Sequence, residues 1–206
     1  MSTQELIREK TKVSGQEAYL LSLYLDELWK WNQRINLVGV SSIDRVIDEL
    51  LIDSLMAREF LPEKGSLLDI GSGAGFPAIP LKVAKQGMIF HLVEARRKRA
   101  AFLKQVIRKM GLKDIHVFYG RIEDIKEGLF PSYDRITFRG IRLIDGLKLS
   151  LPYLADGIII SFQGADFRVI LNEAKAFMEE NRIKIAFIKE YSISKRRRAL
   201  ILFKKA

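Results

Sequence analysis

The sequence predicts an α/β fold: a mostly parallel sheet wound with helices, closing in a C-terminal antiparallel hairpin and preceded by an N-terminal helical extension. Three observations predict it. After Gly65, short apolar runs alternate with helical segments, the rhythm of parallel strands covered on both faces. Before Gly65 the apolar residues recur at spacings of three and four, which puts them on one face of a helix. The last two apolar runs have no helix-length segment between them and must pair antiparallel. Residues 1–64 are thus expected to form an extension packed on a domain spanning 65–206.

The elements follow in chain order. Over residues 17–31, Leu20, Leu21, Tyr24, Leu25, Leu28 and Trp31 are interleaved with Asp26, Glu27 and Lys30, an amphipathic helix. A second helix is expected after Ser42, a candidate cap, with Val46, Ile47, Leu50, Leu51, Ser54 and Leu55 down one side. Leu61-Pro62-Glu63-Lys64-Gly65 ends the helical region. Strands are expected over 67–70, 88–93, 115–118, 133–138 and 158–162. The helices between them are expected over 77–85, 96–110, 145–151 and 167–181, with a short turn near Glu123. Gly87, Gly111 and Gly157 fall where helices stop or strands start. The closing hairpin is expected over 184–189 and 198–203.

Composition narrows the function. The 206 residues carry a formal charge of +10, an excess that attracts polyanions at long range and makes nucleic acid the first expected partner. Cysteine is absent, which excludes disulfides, thiolate metal sites and cysteine nucleophiles. His91 and His116 fall in separate expected strands, so no metal site is expected. No apolar stretch reaches the roughly 20 residues that span a bilayer, and Met1-Ser2-Thr3-Gln4-Glu5 leads into no signal-like segment. A soluble, cytoplasmic monomer is expected.

The chemistry centres on Asp69-Ile70-Gly71-Ser72-Gly73-Ala74-Gly75. Strand, glycine-rich turn and helix is the arrangement in which free amides face a ligand that approaches the backbone closely. A dinucleotide loop would read G-x-G-x-x-G, whereas here the third glycine comes one residue early and Phe76-Pro77 follows. No Gly-Lys-Ser/Thr follows either, so nucleotide triphosphate hydrolysis is unsupported. A carboxylate at Asp69 would repel a pyrophosphate but attract the ammonium or sulfonium charge of S-adenosylmethionine. That cofactor suits the loop better than a nicotinamide dinucleotide. A tight turn without a ligand is the plainer alternative.

Glu94 ends the second strand, where an acid a little over ~20 residues after the first glycine accepts ribose hydroxyls; it can equally cap the helix beginning near Arg96. After the third strand, Ile122 is placed to pack against an adenine, and Glu123 is either beside that ring or a helix-start acid. Arg139 and Gly140 close the fourth strand, where sites on such sheets concentrate. Arg96, Arg97, Lys98 and Arg99 oppose a helix dipole and call for an anion, unless they form a solvated face. Lys195, Arg196, Arg197 and Arg198 fill the closing hairpin, and Lys204-Lys205 end the chain. Trp29 and Trp31 flank a lysine and precede Asn32, Arg34 and Asn36, a mixture able to stack on bases and bond phosphate. Trp31 also fits the core; Arg34 and Asn36 are the better RNA candidates.

Taken together, Trp31-Asn32 with Asn36-Leu37, Asp53-Ser54-Leu55, the loop through Phe76-Pro77, and Lys98-Arg99-Ala100-Ala101-Phe102-Leu103 resemble the bacterial glucose-inhibited division protein B family. These are the ribosomal RNA small-subunit methyltransferases G. The resemblance runs from about Trp29 to the carboxyl terminus and implies a Rossmann-like S-adenosylmethionine methyltransferase acting on N7 of a guanosine in 16S ribosomal RNA, alone or in the small ribosomal subunit. It implies that Asp69, Gly71, Gly73, Gly75, Phe76, Glu94, Ile122, Glu123 and Arg139 bind the cofactor. It implies that Arg139 and Asn36 act in catalysis and that Arg34, Asn36, Pro77, Arg142, Arg196 and Arg197 contact RNA. Two positions depart from the family: Leu50 stands where a histidine is usual, and Gln163 where a lysine is usual. Phe138-Arg139-Gly140 replaces the usual Ser/Ala-Arg-Ala, and Arg139 or Arg142 is expected to supply the replacement charge. An RNA-binding protein of the same fold with lost or altered methyl transfer is the alternative.

Overall fold

The computed structural model describes residues 1–206. Its strands are β1 (Gly65–Ile70), β2 (Met88–Glu94), β3 (Ile115–Tyr119), β4 (Arg135–Arg139), β5 (Ile158–Gln163), β6 (Ile183–Ile193) and β7 (Arg196–Lys205). They form one sheet in the order β3-β2-β1-β4-β5-β7-β6. The first five pair in parallel, and β7 runs antiparallel between β5 and β6. Because β7 reverses direction, the turn from Ile193 to Arg196 lies at the same end as the carboxyl ends of β1 to β5. The hairpin is longer than the sequence predicts: β6 continues through Glu190-Tyr191-Ser192-Ile193, and the exposed pairs Arg196-Arg197 and Lys204-Lys205 hide the ends of β7. Strand four starts later than predicted: the Asp134 carboxylate accepts from the Ser66 amide (2.7 Å), and Tyr133 turns inward.

The helices are α1 (Thr3–Lys10), α2 (Gly15–Ile35), α3 (Ile43–Val46), α4 (Ile52–Leu55), α5 (Ala78–Ala84), α6 (Arg97–Met110), α7 (Leu143–Ser150) and α8 (Phe167–Glu180). Helix α1 is absent from the sequence reading, yet its signal is present: Ser2 and Glu5 form a reciprocal capping box, as Ser14 and Glu17 do at the start of α2. The second predicted helix is broken in the middle. Between α3 and α4 the chain makes a π-helical turn, Ile47–Leu51, a wider coil that the apolar spacing does not reveal.

Alternation along the strands feeds two cores. Leu67, Phe90, Ile160 and Leu202 belong to a cluster of 34 buried residues with Leu21, Tyr24, Leu25 and Leu28 of α2 and Phe102 of α6. Leu68, Ile136, Phe138, Ile159 and Ile201 belong to a cluster of 18 with residues of α7 and α8. The larger core is therefore the one roofed by the amino-terminal helices. Glu27 fastens that roof, accepting from Lys109 (2.5 Å), Gln105 (2.6 Å) and Trp31 (3.2 Å). Trp31 is half-buried against Phe102.

His91 is buried in β2 and shares a 2.6 Å hydrogen bond with the Tyr133 hydroxyl. Burial, followed by the neighbouring His116, lowers its pKa to about 4. Between pH 6.5 and 4 the unfolded chain takes up a proton that the folded chain refuses, so this residue costs stability as pH falls through that window. The variant His91→Phe is expected to gain stability relative to the parent as the pH is lowered from 7 to 4.5. Urea unfolding at both values checks it; a constant difference between the two proteins would refute the assignment.

Candidate functional site

The glycine loop follows β1 at the carboxyl rim of the sheet. Gly71, Gly73 and Gly75 adopt φ values of +71°, +58° and +98°, the left-handed region that side chains disfavour. The expected row of free amides is not found. The Gly71 and Ser72 amides donate to the Val93 carbonyl (2.9 and 3.0 Å) and Gly75 donates to the Ser72 carbonyl (2.7 Å). These bonds tie the loop to β2 and tighten its turn, so its contribution to a ligand is shape and exposed backbone rather than a fan of donors. The Tyr24 hydroxyl pins it from below by donating to the Ala74 carbonyl (2.7 Å).

Gly75 serves packing. A Cβ there would sit 2.7 Å from Ile79 Cδ1 and 3.1 Å from Leu103 Cδ2. Gly75→Ala is expected to cost about 1–3 kcal/mol through backbone strain and overpacking. Urea denaturation reads this directly, and a loss under about 0.5 kcal/mol would contradict it.

Glu94, at the tip of β2, is 4% exposed. Its Oε2 accepts from the Gly73 amide and its Oε1 from the Arg96 amide, both at 2.7 Å. The helix-capping role weighed from sequence is therefore present, together with a lock on the glycine loop. Next to these residues lies a cleft of about 290 Å³, lined among others by Gly71, Val93, Ala95, Ile122, Glu123 and Leu149. The structure thus brings Gly71, Ile122 and Glu123 together beside Glu94. Ile122 is buried and Glu123 exposed, on a 3₁₀ turn spanning Ile122–Asp124.

Asp69 is buried below this rim. Its Oδ1 accepts from the Thr137 hydroxyl (2.7 Å), while Oδ2 has no hydrogen-bond partner. Burial pushes its pKa up to about 6 against the opposing bonds from Thr137 and Ser72. An unpaired carboxylate oxygen under the loop suits a cationic group above it and disfavours an anionic one.

Other expected residues lie apart from the cleft. Phe76 is buried, its ring 5.2 Å from that of Tyr24. Pro77 is buried at the start of α5. Arg139 does not line the cleft. Its Nη2 lies 2.8 Å from Asp53 Oδ2 and donates to the Glu49 carbonyl (3.1 Å), while Nη1 is buried without a partner. Burial draws its pKa down and Asp53 opposes that. Asp53 and Tyr191 escaped the sequence reading as site residues. The only available signal was the Asp53-Ser54-Leu55 run.

Gln163, where a lysine is usual, is buried and donates to Ser161 (2.7 Å). Arg142, Arg196 and Arg197 are largely exposed, with carboxylate neighbours Asp145, Glu49 and Glu190. Arg34 and Asn36 are exposed at the end of α2, where Asn36 adopts φ +45°. The start of α6 carries Arg97, Lys98 and Arg99 with no acid in its first turn.

A family model described as rRNA small subunit methyltransferase G matches residues 17–200. The sequence is 38% identical over 169 residues to the ribosomal RNA small subunit methyltransferase G of Helicobacter hepaticus, covering 79% of this chain and 90% of that one. It is 32% identical over 192 residues to the protein of the same name from Syntrophus aciditrophicus, covering 89% and 80%. The fold is similar to that of the O-methyltransferase from Bacillus cereus solved in complex with SAH, with a TM-score of 0.62 at 19% identity and coverage of 89% and 90%. The Rossmann-like methyltransferase fold expected from sequence is the fold observed.

Proposed function

Since the chain belongs to the rRNA small subunit methyltransferase G family, we propose that it methylates N7 of a guanosine in 16S ribosomal RNA, using S-adenosylmethionine. In this reading residues 1–64 are an extension packed on a methyltransferase domain of residues 65–206. The chain works as a monomer on the RNA or the small ribosomal subunit in the cytoplasm. No helix is long and apolar enough to cross a membrane.

One observation carries the cofactor half: Glu94 is fixed by two backbone amides beside a cleft that also contains Gly71, Ile122 and Glu123. Each carboxylate oxygen uses one lone pair on the backbone and keeps another for a ribose hydroxyl. Ile122 offers an apolar face to the adenine, and Asp69 Oδ2 offers negative charge to the ammonium end. The residues therefore fit the group. When bound, S-adenosylmethionine supplies an electrophilic methyl group to the in-plane lone pair of guanine N7, which bears no proton. The chain consequently needs no general base. Its residues align the reactants and exclude water. Arg139 is proposed to act in the transfer, with Asn36 on the substrate side, and Gly73, Gly75 and Phe76 shape the loop.

The exposed cations Arg34, Arg142, Arg196 and Arg197 are proposed to hold RNA phosphates. Arg142 follows the parallel strand β4, and Arg196 and Arg197 begin β7, which the antiparallel pairing brings to the same rim. The test is transfer of a labelled methyl group to small ribosomal subunits or their RNA, followed by nucleoside analysis. Product carrying N7-methylguanosine supports the reading; saturable cofactor binding without transfer to either substrate would sink it.

A further inference from the structure

Asp53 has no task in the function described so far, although only 1% of it is exposed. Its Oδ1 accepts from the Tyr191 hydroxyl (2.7 Å), a residue 138 positions away on the closing hairpin. Its Oδ2 faces Arg139 Nη2 at 2.8 Å. The same Nη2 donates to the Glu49 carbonyl, which belongs to the π-helical turn Ile47–Leu51. Turns of this kind recur where a helix must present backbone to a site.

The arrangement engages one of the three guanidinium nitrogens and leaves Nη1 without a partner. Nη2 donates to the Glu49 carbonyl and stands at ion-pair distance from Asp53 Oδ2 without a hydrogen bond to it, so that both Asp53 Oδ2 and Arg139 Nη1 are buried without a hydrogen-bond partner. A planar guanidinium held through two contacts on one nitrogen has its orientation restricted. Arg139 follows Thr137 by two residues, so both side chains leave one face of β4, and Thr137 is the residue bonded to Asp69 under the glycine loop. Arg139 therefore stands at the carboxyl rim on the same face as Asp69, whose Oδ2 is likewise unpaired. An unsatisfied buried donor is costly, so its retention at the rim calls for a use beyond the ion pair.

We propose that Asp53 and Tyr191 are positioning residues for methyl transfer: one from the amino-terminal helices and one from the carboxyl-terminal hairpin, they fix the Arg139 guanidinium, whose side chain is 14% exposed, in place at the carboxyl rim for the transfer. The inference rests on the reading that Arg139 acts in the transfer. It adds that two segments at opposite ends of the chain set the direction of that arginine.

The experiment uses the full chain, labelled S-adenosylmethionine and small ribosomal subunits, well below the unfolding temperature. Tyr191→Phe removes only the hydroxyl, and Asp53→Asn keeps the shape while removing the charge. At saturation of both substrates kcat is expected to fall about tenfold in Tyr191→Phe and up to about a hundredfold in Asp53→Asn, the range for a misaimed group. Cofactor Kd by calorimetry and KM for the subunit are expected to stay within about twofold, because Asp53 and Tyr191 act on the alignment of Arg139 and not on either reactant. A Tyr191→Phe protein with a lower melting temperature and parental kcat would overturn the proposal, since that is the mark of a purely structural bond. So would a raised cofactor Kd at unchanged kcat. Arg139→Gln separates the two readings: its loss of transfer beside a fully active Tyr191→Phe overturns only the positioning role, whereas full activity of Arg139→Gln overturns both.

Discussion

Asp53→Ala is expected to lower the folding free energy by about 3–5 kcal/mol, the cost of leaving one member of a buried ion pair without its partner. The residue lies below solvent reach, and its carboxylate is the only one paired with the Arg139 side chain. Removing it strands a guanidinium that already has one nitrogen unpaired and leaves the Tyr191 hydroxyl without its acceptor. Burial already draws the Arg139 pKa down, yet an arginine does not escape the penalty by losing its proton. The control is the double variant Asp53→Ala with Arg139→Met, in which no charge remains to be buried. It is expected to recover most of the loss, because an apolar pair of similar volume is often as stable as the ion pair it replaces. Urea titrations of the four proteins in this cycle give the coupling. A single variant within about 1 kcal/mol of the parent would show that water reaches Arg139 once the carboxylate is gone.

The parts of this molecule that sequence reveals are those with a local or periodic signature. The parallel strands were legible as short apolar runs, largely buried on both faces in β1, β2, β4 and β5 although the edge strand β3 exposes His116 and Tyr119, and the hairpin because no helix fits between its strands. The glycine loop was legible because Gly71, Gly73 and Gly75 stand in a spacing that only a few ligands use. What spacing could not reveal was the use of each polar group. The amides of Gly71 and Ser72 looked free for a ligand, but β2 passes close enough for the Val93 carbonyl to take both. Pro77 looked like a substrate contact and is buried at the start of α5. The Asp53, Arg139 and Tyr191 cluster joins a helix, a parallel strand and a hairpin, and such a long-range pairing leaves no pattern along the chain. The π turn is similarly silent, since one extra residue in a coil does not disturb which side chains are apolar. The lysine usual in the family is here Gln163, the last residue of β5, which donates to Ser161; of the two candidates to replace its charge, Arg142 is exposed beside Asp145 and Arg139 is largely buried against Asp53.

Glu94→Gln is expected to raise the Kd for S-adenosylmethionine by about ten- to a hundredfold, with the fold retained. The change is nearly isosteric, so packing is preserved. What it alters is donor and acceptor count. In the parent, Oε2 and Oε1 each accept a backbone N–H, from Gly73 and Arg96. The amide of glutamine has one acceptor oxygen and one donor nitrogen, so either Gly73 or Arg96 must face a donor with its own donor. Hydrogen bonds to a charged group contribute about 1.5–3 kcal/mol, and each 1.4 kcal/mol is a factor of ten in affinity, which gives the expected range. Glu94→Asp distinguishes the lock from the ligand contact. Its carboxylate keeps the charge but is shorter by one methylene and cannot span both amides and a ribose. It is expected to lose affinity comparably, whereas a charge-only role predicts near-parental binding. Calorimetric titration of the three proteins with the cofactor decides the matter. Equal affinity for parent and Glu94→Gln would remove Glu94 from the cofactor site and leave it solely as the clasp between the glycine loop and the start of α6.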